Sequence, residues 1–332
     1  MMRYNQIGIV CISFVLLALT GCNHYSDIPF RKRIQPVKQD SGFKMDGYHV
    51  WGGSVIEVEG TYHMFASRWP AHNEFPYDYF TMSEIVRATS DKLEGPYTFQ
   101  EVVIGERDSS YWDANMAHNP TIHKINDTYV LFYIGSDFTT MRDERRPLRR
   151  IGYATATNIE GPWKRSDEPV LNRESNNPAL LVEDDQSVKM MFRDEKLKVF
   201  VATAPSFKGP YEIQNGNVWP EAKLEDFYLF KRKKKYHMIC EDNVGGVTGH
   251  VRWGAHLISN DGIHHWKVYP DSITYDHDIV YTDGTVLKCN RRERPQLFTD
   301  KNKITGLFTS VYDGTHAWCQ PVILKPAYVI DE

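Results

Sequence analysis

The chain has 332 residues, a formal net charge of -4, and 41% hydrophobic against 25% charged residues. That balance suits a globular protein with a large core and gives no electrostatic reason to expect a nucleic-acid partner. Aromatic residues are plentiful at 13%, with 8 Trp, which suits both tight packing of sheets and stacking on sugars.

Residues 1–22 read as a targeting segment and not as part of the fold. A short polar stretch with Arg3 precedes the apolar IGIVCISFVLLAL, which is too short to span a bilayer, and Leu19-Thr20-Gly21-Cys22 follows. This ending resembles the lipobox of bacterial lipoproteins, which implies that Cys22 is the acylated mature N-terminus. The protein is then expected in the cell envelope, held to a bacterial membrane (the outer one) by its lipid and facing either the periplasm or the medium. Residues 23–42, polar with Arg31-Lys32-Arg33 and two prolines, read as a flexible tether.

From there one phrase recurs five times: GGSVIEVEGTYHMFAS from Gly52, HNPTIHKINDTYVLFY from His118, NNPALLVEDDQSVKMMF from Asn176, EDFYLFKRKKKYHMI from Glu225 and ERPQLFTDKNKITGLF from Glu293. Each is a pair of residues, an apolar strand, a turn and a second apolar strand, at a spacing of roughly 50 to 70 residues. Four copies are followed by a second phrase, such as RIGYATATNIEGPWKR, with a strand, a turn that is usually Gly-Pro, and an aromatic. Two strands and two more make a four-stranded antiparallel blade, so the chain is expected to be all-β, a single five-bladed β-propeller over 43–332. The lysine run Lys231–Lys235 falls in a hairpin turn, and SNDGIHHW from Ser259 reads as a blade turn. Outside the signal, Cys240, Cys289 and Cys319 allow at most one bridge, and no Cys/His spacing suggests zinc. No phosphate loop and no GxSxG elbow is present.

Chemistry is expected where the repeats converge. Innermost strands flank the axis, so the pairs Gly52/Gly53, His118/Asn119, Asn176/Asn177, Glu225/Asp226 and Glu293/Arg294 would ring one mouth. Asp46, Trp51, Trp112, Asp113 and Arg292 would lie just outside them. Convergent polar groups beside indole walls suit a carbohydrate pocket, and two facing carboxylates can act as general acid and base. Opposite rims of a narrow pocket suit the wider spacing of an inverting pair, about 6.5 to 9.5 Å.

The blade phrase with its Gly-Pro-aromatic partner resembles the five-bladed propellers of glycoside hydrolase family 43 and its relatives, families 32, 62, 68, 117 and 130, from about Phe43 to Pro326. The resemblance implies an exo-acting glycosidase that removes a terminal furanosyl or anhydro-galactosyl unit from plant or algal oligosaccharides without a required cofactor. Family 43 places its base Asp on the first inner strand, where this chain has Gly53, and Asp226 carries the same register position on blade four. Glu293, in Glu-Arg-Pro, fits the spacing of the family's acid, and Glu225 fits it less fully. No acid occupies the second inner strand, so Asp113 or His118 would take the place of the third, tuning acid. Trp51, Arg68, Trp112, His118, Asn119, Asn177, Arg292 and Arg294 would bind the sugar. Members of family 43 often hold a calcium or sodium ion near the axis, for which His118 is the candidate ligand here. A family 130-like mannoside phosphorylase or hydrolase, and a non-catalytic surface glycan-binding lipoprotein, are the alternatives.

Overall fold

The structure is a computed structural model that describes residues 29–72, 75–137, 147–214 and 216–325. The signal, Cys22 and the first part of the expected tether lie outside the described residues. Among the described residues no helix is long and apolar enough to cross a membrane.

After one helical turn, α1 (Phe30–Arg33), the chain builds four sheets of four antiparallel strands and a last sheet of three. Blade one is β1 (Tyr48–Val58), β2 (Thr61–Pro70), β3 (Glu84–Ser90) and β4 (Thr98–Ile104), with a second short helix, α2 (Tyr79–Met82), between β2 and β3. Blade two is β5 (Met116–Ile125), β6 (Thr128–Ser136), β7 (Arg150–Ala156) and β8 (Lys164–Arg165). Blade three is β9 (Asn176–Val182), β10 (Val188–Arg193), β11 (Val199–Ala204) and β12 (Glu212–Ile213). Blade four is β13 (Leu224–Arg232), β14 (Lys235–Asp242), β15 (Trp253–Ser259) and β16 (Lys267–Tyr275). A hairpin of β17 (Asp278–Val280) and β18 (Val286–Lys288) leads into blade five, β19 (Arg291–Asp300), β20 (Lys303–Tyr312) and β21 (Ala317–Ile323). The five-bladed propeller read from the repeats is therefore the fold.

Among the described residues blade five has three strands of its own, and the segment before β1 takes the next edge. Phe43 and Cys319 exchange both backbone hydrogen bonds, and the amide of Gln35 donates to the carbonyl of Ile323 at 2.9 Å. Phe30 and Val37 are buried in the core beside Trp318 and Leu324, and buried Arg33 donates to the carbonyl of Ile304 at 2.6 Å. The flexible tether expected up to residue 42 is thus packed chain from Pro29 onward. Its polar composition hid three apolar anchors, Phe30 in α1 and Ile34 and Val37 in the extended stretch after it. Pairing this segment, which leads into β1, with β21 ties the first blade to the last and closes the ring.

Every innermost strand carries a β-bulge at the same place. The ladders shift between Trp51 and Ser54, His118 and Thr121, Glu225 and Tyr228, and Glu293 and Gln296, and β9 does the same beside Met191 and Arg193. At each bulge one residue is left-handed: Gly52, Asn119, Asn177, Asp226 and Arg294, with φ between +54° and +67°. Gly, Asn and Asp adopt this conformation at little cost, and Arg does so only under constraint. Neighbouring blades bond to these backbones. Gly52 N donates to Ser310 Oγ at 2.6 Å, Asn119 N to Ser67 Oγ at 2.8 Å and Arg294 N to Asp226 Oδ2 at 3.1 Å.

The bulges correct the sequence register on blade one. Its pair is Trp51/Gly52, not Gly52/Gly53, and Gly53 matches Pro120, Pro178, Phe227 and Pro295. A Cβ at Gly53 would lie 2.9 Å from both Cys319 Sγ and Met64 Sδ, so this position belongs to the core and could not present a carboxylate. Cys240, Cys289 and Cys319 are buried free thiols. The SNDGIHHW segment is a turn device, since Asp261 Oδ1 accepts from the amides of Ile263 and His264 at 2.8 and 2.7 Å.

Candidate active site on the propeller axis

The five bulges converge on a pocket of about 290 Å³. Its wall takes one residue from each blade, Trp51, His118, Asn176, Glu225 and Glu293, and Asn119, Asn177 and Asp226 reach it from the next position. The two sides differ. Toward blade one stand Trp69 and the loop residues Phe75, Tyr77, Tyr79 and Phe80; toward blades three to five stand Arg193, Arg291 and the acids. Several buried polar atoms around this axis have no hydrogen-bond partner: Asn119 Oδ1, Asn177 Oδ1, Arg193 Nε, Glu241 Oε2 and all three side-chain nitrogens of Arg294. Unsatisfied groups concentrated in this way mark a place completed by solvent or ligand.

Glu225 meets Arg193 Nη2 at 2.6 Å, accepts from Asn243 Nδ2 and lies 3.9 Å from Arg252 Nη1. Burial pushes its pKa up, but Arg193, Arg252, Arg291 and the Asn243 hydrogen bond together hold it below the usual carboxylate range. Asp226 accepts from Asn177 Nδ2 and from Arg294 N, with Arg294 Nη1 at 3.5 Å. Burial is the largest influence on it; Arg294 opposes the rise, Glu225 and Glu293 add to it, and the carboxyl ends up at about 7. Glu293 is an acceptor on both oxygens. Oε1 takes hydrogen bonds from Arg252 Nη1 at 2.8 Å and from Arg291 Nε, and Oε2 takes one from Arg291 Nη2 at 3.0 Å.

A fourth acid, Glu241, stands behind these three. It is the β14 partner of Glu225, fully buried, and its Oε1 accepts from Arg252 Nη1 at 2.7 Å. Burial, then Glu293 and Glu225, push it well above the carboxylate range; Arg252 opposes this without prevailing. Its hydrogen bond to Arg252 survives either charge state, because the carbonyl oxygen of a neutral carboxyl still accepts. Asp226, Glu241 and Glu293 each present an oxygen within 4.8 Å of the others, the one group among the described residues that converges tightly enough for a cation.

On the opposite side His118 is buried, with Nδ1 at 2.8 Å from Ser83 Oγ and its ring stacked on Tyr79 at 4.4 Å. Burial, with Arg294 and Arg149 adding, drives its pKa well down, so the imidazole is neutral. Its neighbours are rings and a hydroxyl. Calcium requires several oxygen ligands, so His118 does not fit the ion proposed for it.

Four sequence candidates lie elsewhere. Asp113 is fully buried in an ion pair with Arg107, accepts from Tyr133 Oη at 2.6 Å and does not line the pocket. Trp112 stacks on Tyr133 at 5.5 Å and donates to the carbonyl of Ser166. Both serve the packing of blade two, through Tyr133 and Ser166. Arg68 pairs with Glu84 at 2.7 Å and covers Tyr48 and Phe99, outside the wall. Arg292 alternates away from the axis and donates to the carbonyls of Asp276 and Asp278, which leaves Arg291 to face the pocket. Arg294 sits beneath the wall at 1% exposure and reaches it only through Asp226. Trp51, His118, Asn119, Asn177, Glu225, Asp226 and Glu293 are brought together. Glu241, Arg193, Arg252 and the rings of Phe75 and Tyr79 were missed. Glu241 was within reach of pairing arithmetic, since counting back from the Lys233-Lys234 turn through one bulge puts it opposite Glu225.

No family model matches the chain, and no curated protein does. Solved structures do. A family 117 glycoside hydrolase produced by the marine bacterium Zobellia galactanivorans superposes with a TM-score of 0.66 at 14% identity, over 90% of this chain and 92% of that one. This chain has the fold of the five-bladed propeller glycoside hydrolases. A family 43 β-xylosidase/α-arabinofuranosidase from a compost microbial metagenome gives 0.60 at 14% identity, over 89% and 95%. The catalytic domain of a family 62 α-L-arabinofuranosidase from Coprinopsis cinerea gives 0.62 at 12% identity, over 90% and 99%. In each case nearly the whole glycosidase propeller is matched, and the axial pocket is where this chain gathers its carboxylates.

Proposed function

We propose that this protein is an exo-acting glycoside hydrolase, related in architecture to family 43, that removes a terminal furanosyl or anhydro-galactosyl unit from plant or algal oligosaccharides. It would be held at the cell envelope through Cys22. The observation that carries the reading is the pairing of Asp226 with Glu293 in one narrow pocket. Asp226 lies at about 7 and can give up a proton near neutral pH, and Glu293 is fixed as an acceptor by two guanidinium groups. A volume of about 290 Å³ is at the low end for a ligand site and suits one sugar unit at a chain end.

These roles reverse the sequence assignment. Asp226 is the acid that protonates the leaving oxygen, because its charged form is the one burial disfavours. Glu293, held on both oxygens by Arg252 and Arg291, is its partner. The spacing also differs from expectation. The two residues stand on adjacent blades and not on opposite rims, with oxygens inside 4.8 Å. That falls short of the inverting range and suits a retaining pair at about 5 to 5.5 Å, with Glu293 as nucleophile. Asn119, Asn177 and Arg193 then hold hydroxyls, and the rings toward blade one take the apolar face of the sugar.

The test is a screen of purified protein on terminal furanosides and anhydro-galactosides, with the first-formed anomer read by NMR. Retained configuration is expected, and inversion would remove the Asp226–Glu293 pairing. Arg193 and Arg291 are already bound to Glu225 and Glu293, so release should proceed in phosphate-free buffer. The glycan-binding alternative draws on Gly52, which leaves blade one without a side chain at the left-handed position where blade four has Asp226. No turnover of any glycan, with oligosaccharide still bound, would favour it.

A further inference from the structure

Arg252 reaches the acids from the rim and not from an inner strand. It ends the loop between β14 and β15, in a left-handed conformation with φ of 61°. That conformation is pinned from both sides. Arg252 N donates to the carbonyl of Asp242 at 2.8 Å, and its own carbonyl accepts from His277 Nε2 at 3.1 Å. The loop is tied down by the Asp242 carboxylate, which accepts from the amides of Gly246, Val247 and Thr248 at 3.0, 2.8 and 2.7 Å. A strained, anchored backbone of this kind delivers its side chain to one place.

That place lies between the carboxylates. A single nitrogen, Nη1, is 2.7 Å from Glu241 Oε1, 2.8 Å from Glu293 Oε1 and 3.9 Å from Glu225 Oε1. These are hydrogen-bond separations of a charge-assisted kind. Glu241 and Glu293 are two of the three acids, with Asp226, that each present an oxygen within 4.8 Å of the others and could otherwise enclose a hard cation, whose ligands would stand at about 2.3–2.6 Å for calcium. An ion and this nitrogen cannot both occupy the space.

We propose that Arg252 is the built-in cation of the axial site: its guanidinium occupies the centre where carboxylates of Glu241 and Glu293 would bind a divalent ion, and it positions Glu293. The first half needs no assumption about the reaction; the second rests on the hydrolase reading. Arg252 is a positioning residue, because it acts through Glu293.

Both halves can be tested with the full-length protein, Arg252→Ala and Arg252→Lys. Calcium is titrated into each and followed by calorimetry and melting temperature. Wild type and Arg252→Lys should show no saturable calcium binding at the axis and no loss of stability in chelator. Arg252→Ala should bind one calcium ion and regain much of its lost melting temperature as the ion saturates. If Arg252→Ala does not fold, Arg252→Gln is used, and calcium-dependent folding reads the same property. Calcium bound by wild type and abolished by Glu241→Gln would overturn the proposal, as would failure of the uncharged variants to bind calcium. For the second half, Arg252→Ala should lower kcat about 100-fold with KM nearly unchanged, and free guanidinium should restore about tenfold of that loss. No rescue by either guanidinium or calcium overturns the positioning role. Absence of any activity in wild type strikes the hydrolase reading alone, since calcium binding is measured without substrate.

Discussion

Blades one and two and blades four and five present the same backbone to the axis and opposite chemistry. All carry the bulge and its left-handed residue, but the first two offer Trp51, Gly52, His118 and Asn119, and the last two offer Glu225, Asp226, Glu293 and Arg294. On one side the rings of Trp69 and Tyr79 flank a neutral imidazole, and burial there disfavours charge. On the other, four acids share Arg193, Arg252 and Arg291; burial raises Asp226 and Glu241, and the arginines hold Glu225 down. A repeated scaffold fixes where side chains arrive, and it leaves their identity free. One half can then bind sugar while the other reacts with it.

The sharpest way to break this division is to neutralise the charged side. Asp226→Asn and Glu293→Gln should each lower kcat by about 10³-fold, within the usual range for loss of a general acid or its partner. Oligosaccharide binding should stay within about tenfold, or about 1.4 kcal/mol. Glu293→Gln with full activity would move the chemistry elsewhere. Asp113→Ala, by contrast, should act on folding. Breaking its buried pair with Arg107 should lower stability by about 3–5 kcal/mol in urea unfolding, with kcat of the folded fraction unchanged.

A pH series refines the same contrast. Asp226 must carry its proton to work, so kcat/KM should fall about tenfold per unit as pH rises past about 7. Linkage has the same sign. A carboxyl raised in the folded state favours folding at low pH, and that contribution is lost as pH climbs through about 7. Asp226→Asn should remove this loss of stability between about pH 4 and about 7, and a melting temperature that still falls across that range would contradict it. On the aromatic side, Trp51→Ala should raise KM about tenfold at nearly constant kcat, a binding effect of about 1–2 kcal/mol. Arg68→Ala, outside the wall and paired with Glu84, should leave both constants within about twofold.

The residues by themselves determined the propeller and the position of its working end. Alternating apolar strands, turns and a repeated pair before each inner strand are local signals, and strand period and turn chemistry can be read without knowing what lies across the ring. They also placed Glu225, Asp226, Glu293, Asn119 and Asn177 at the mouth. Only the tertiary structure decided which blade faces which, and the rest follows from that. It moved the blade-one register from Gly53 to Gly52, because the Cys319 and Met64 sulfur atoms fill the space beside Gly53. It withdrew Asp113, Trp112, Arg68 and Arg292 into packing and ion pairs, and it turned residues 29–42 from spacer into the edge that closes blade five. It brought Arg252 and Glu241 to the acids through a rim loop and a second strand. Proton affinities depend on such distances between residues remote in the chain, and a linear pattern carries no measure of them.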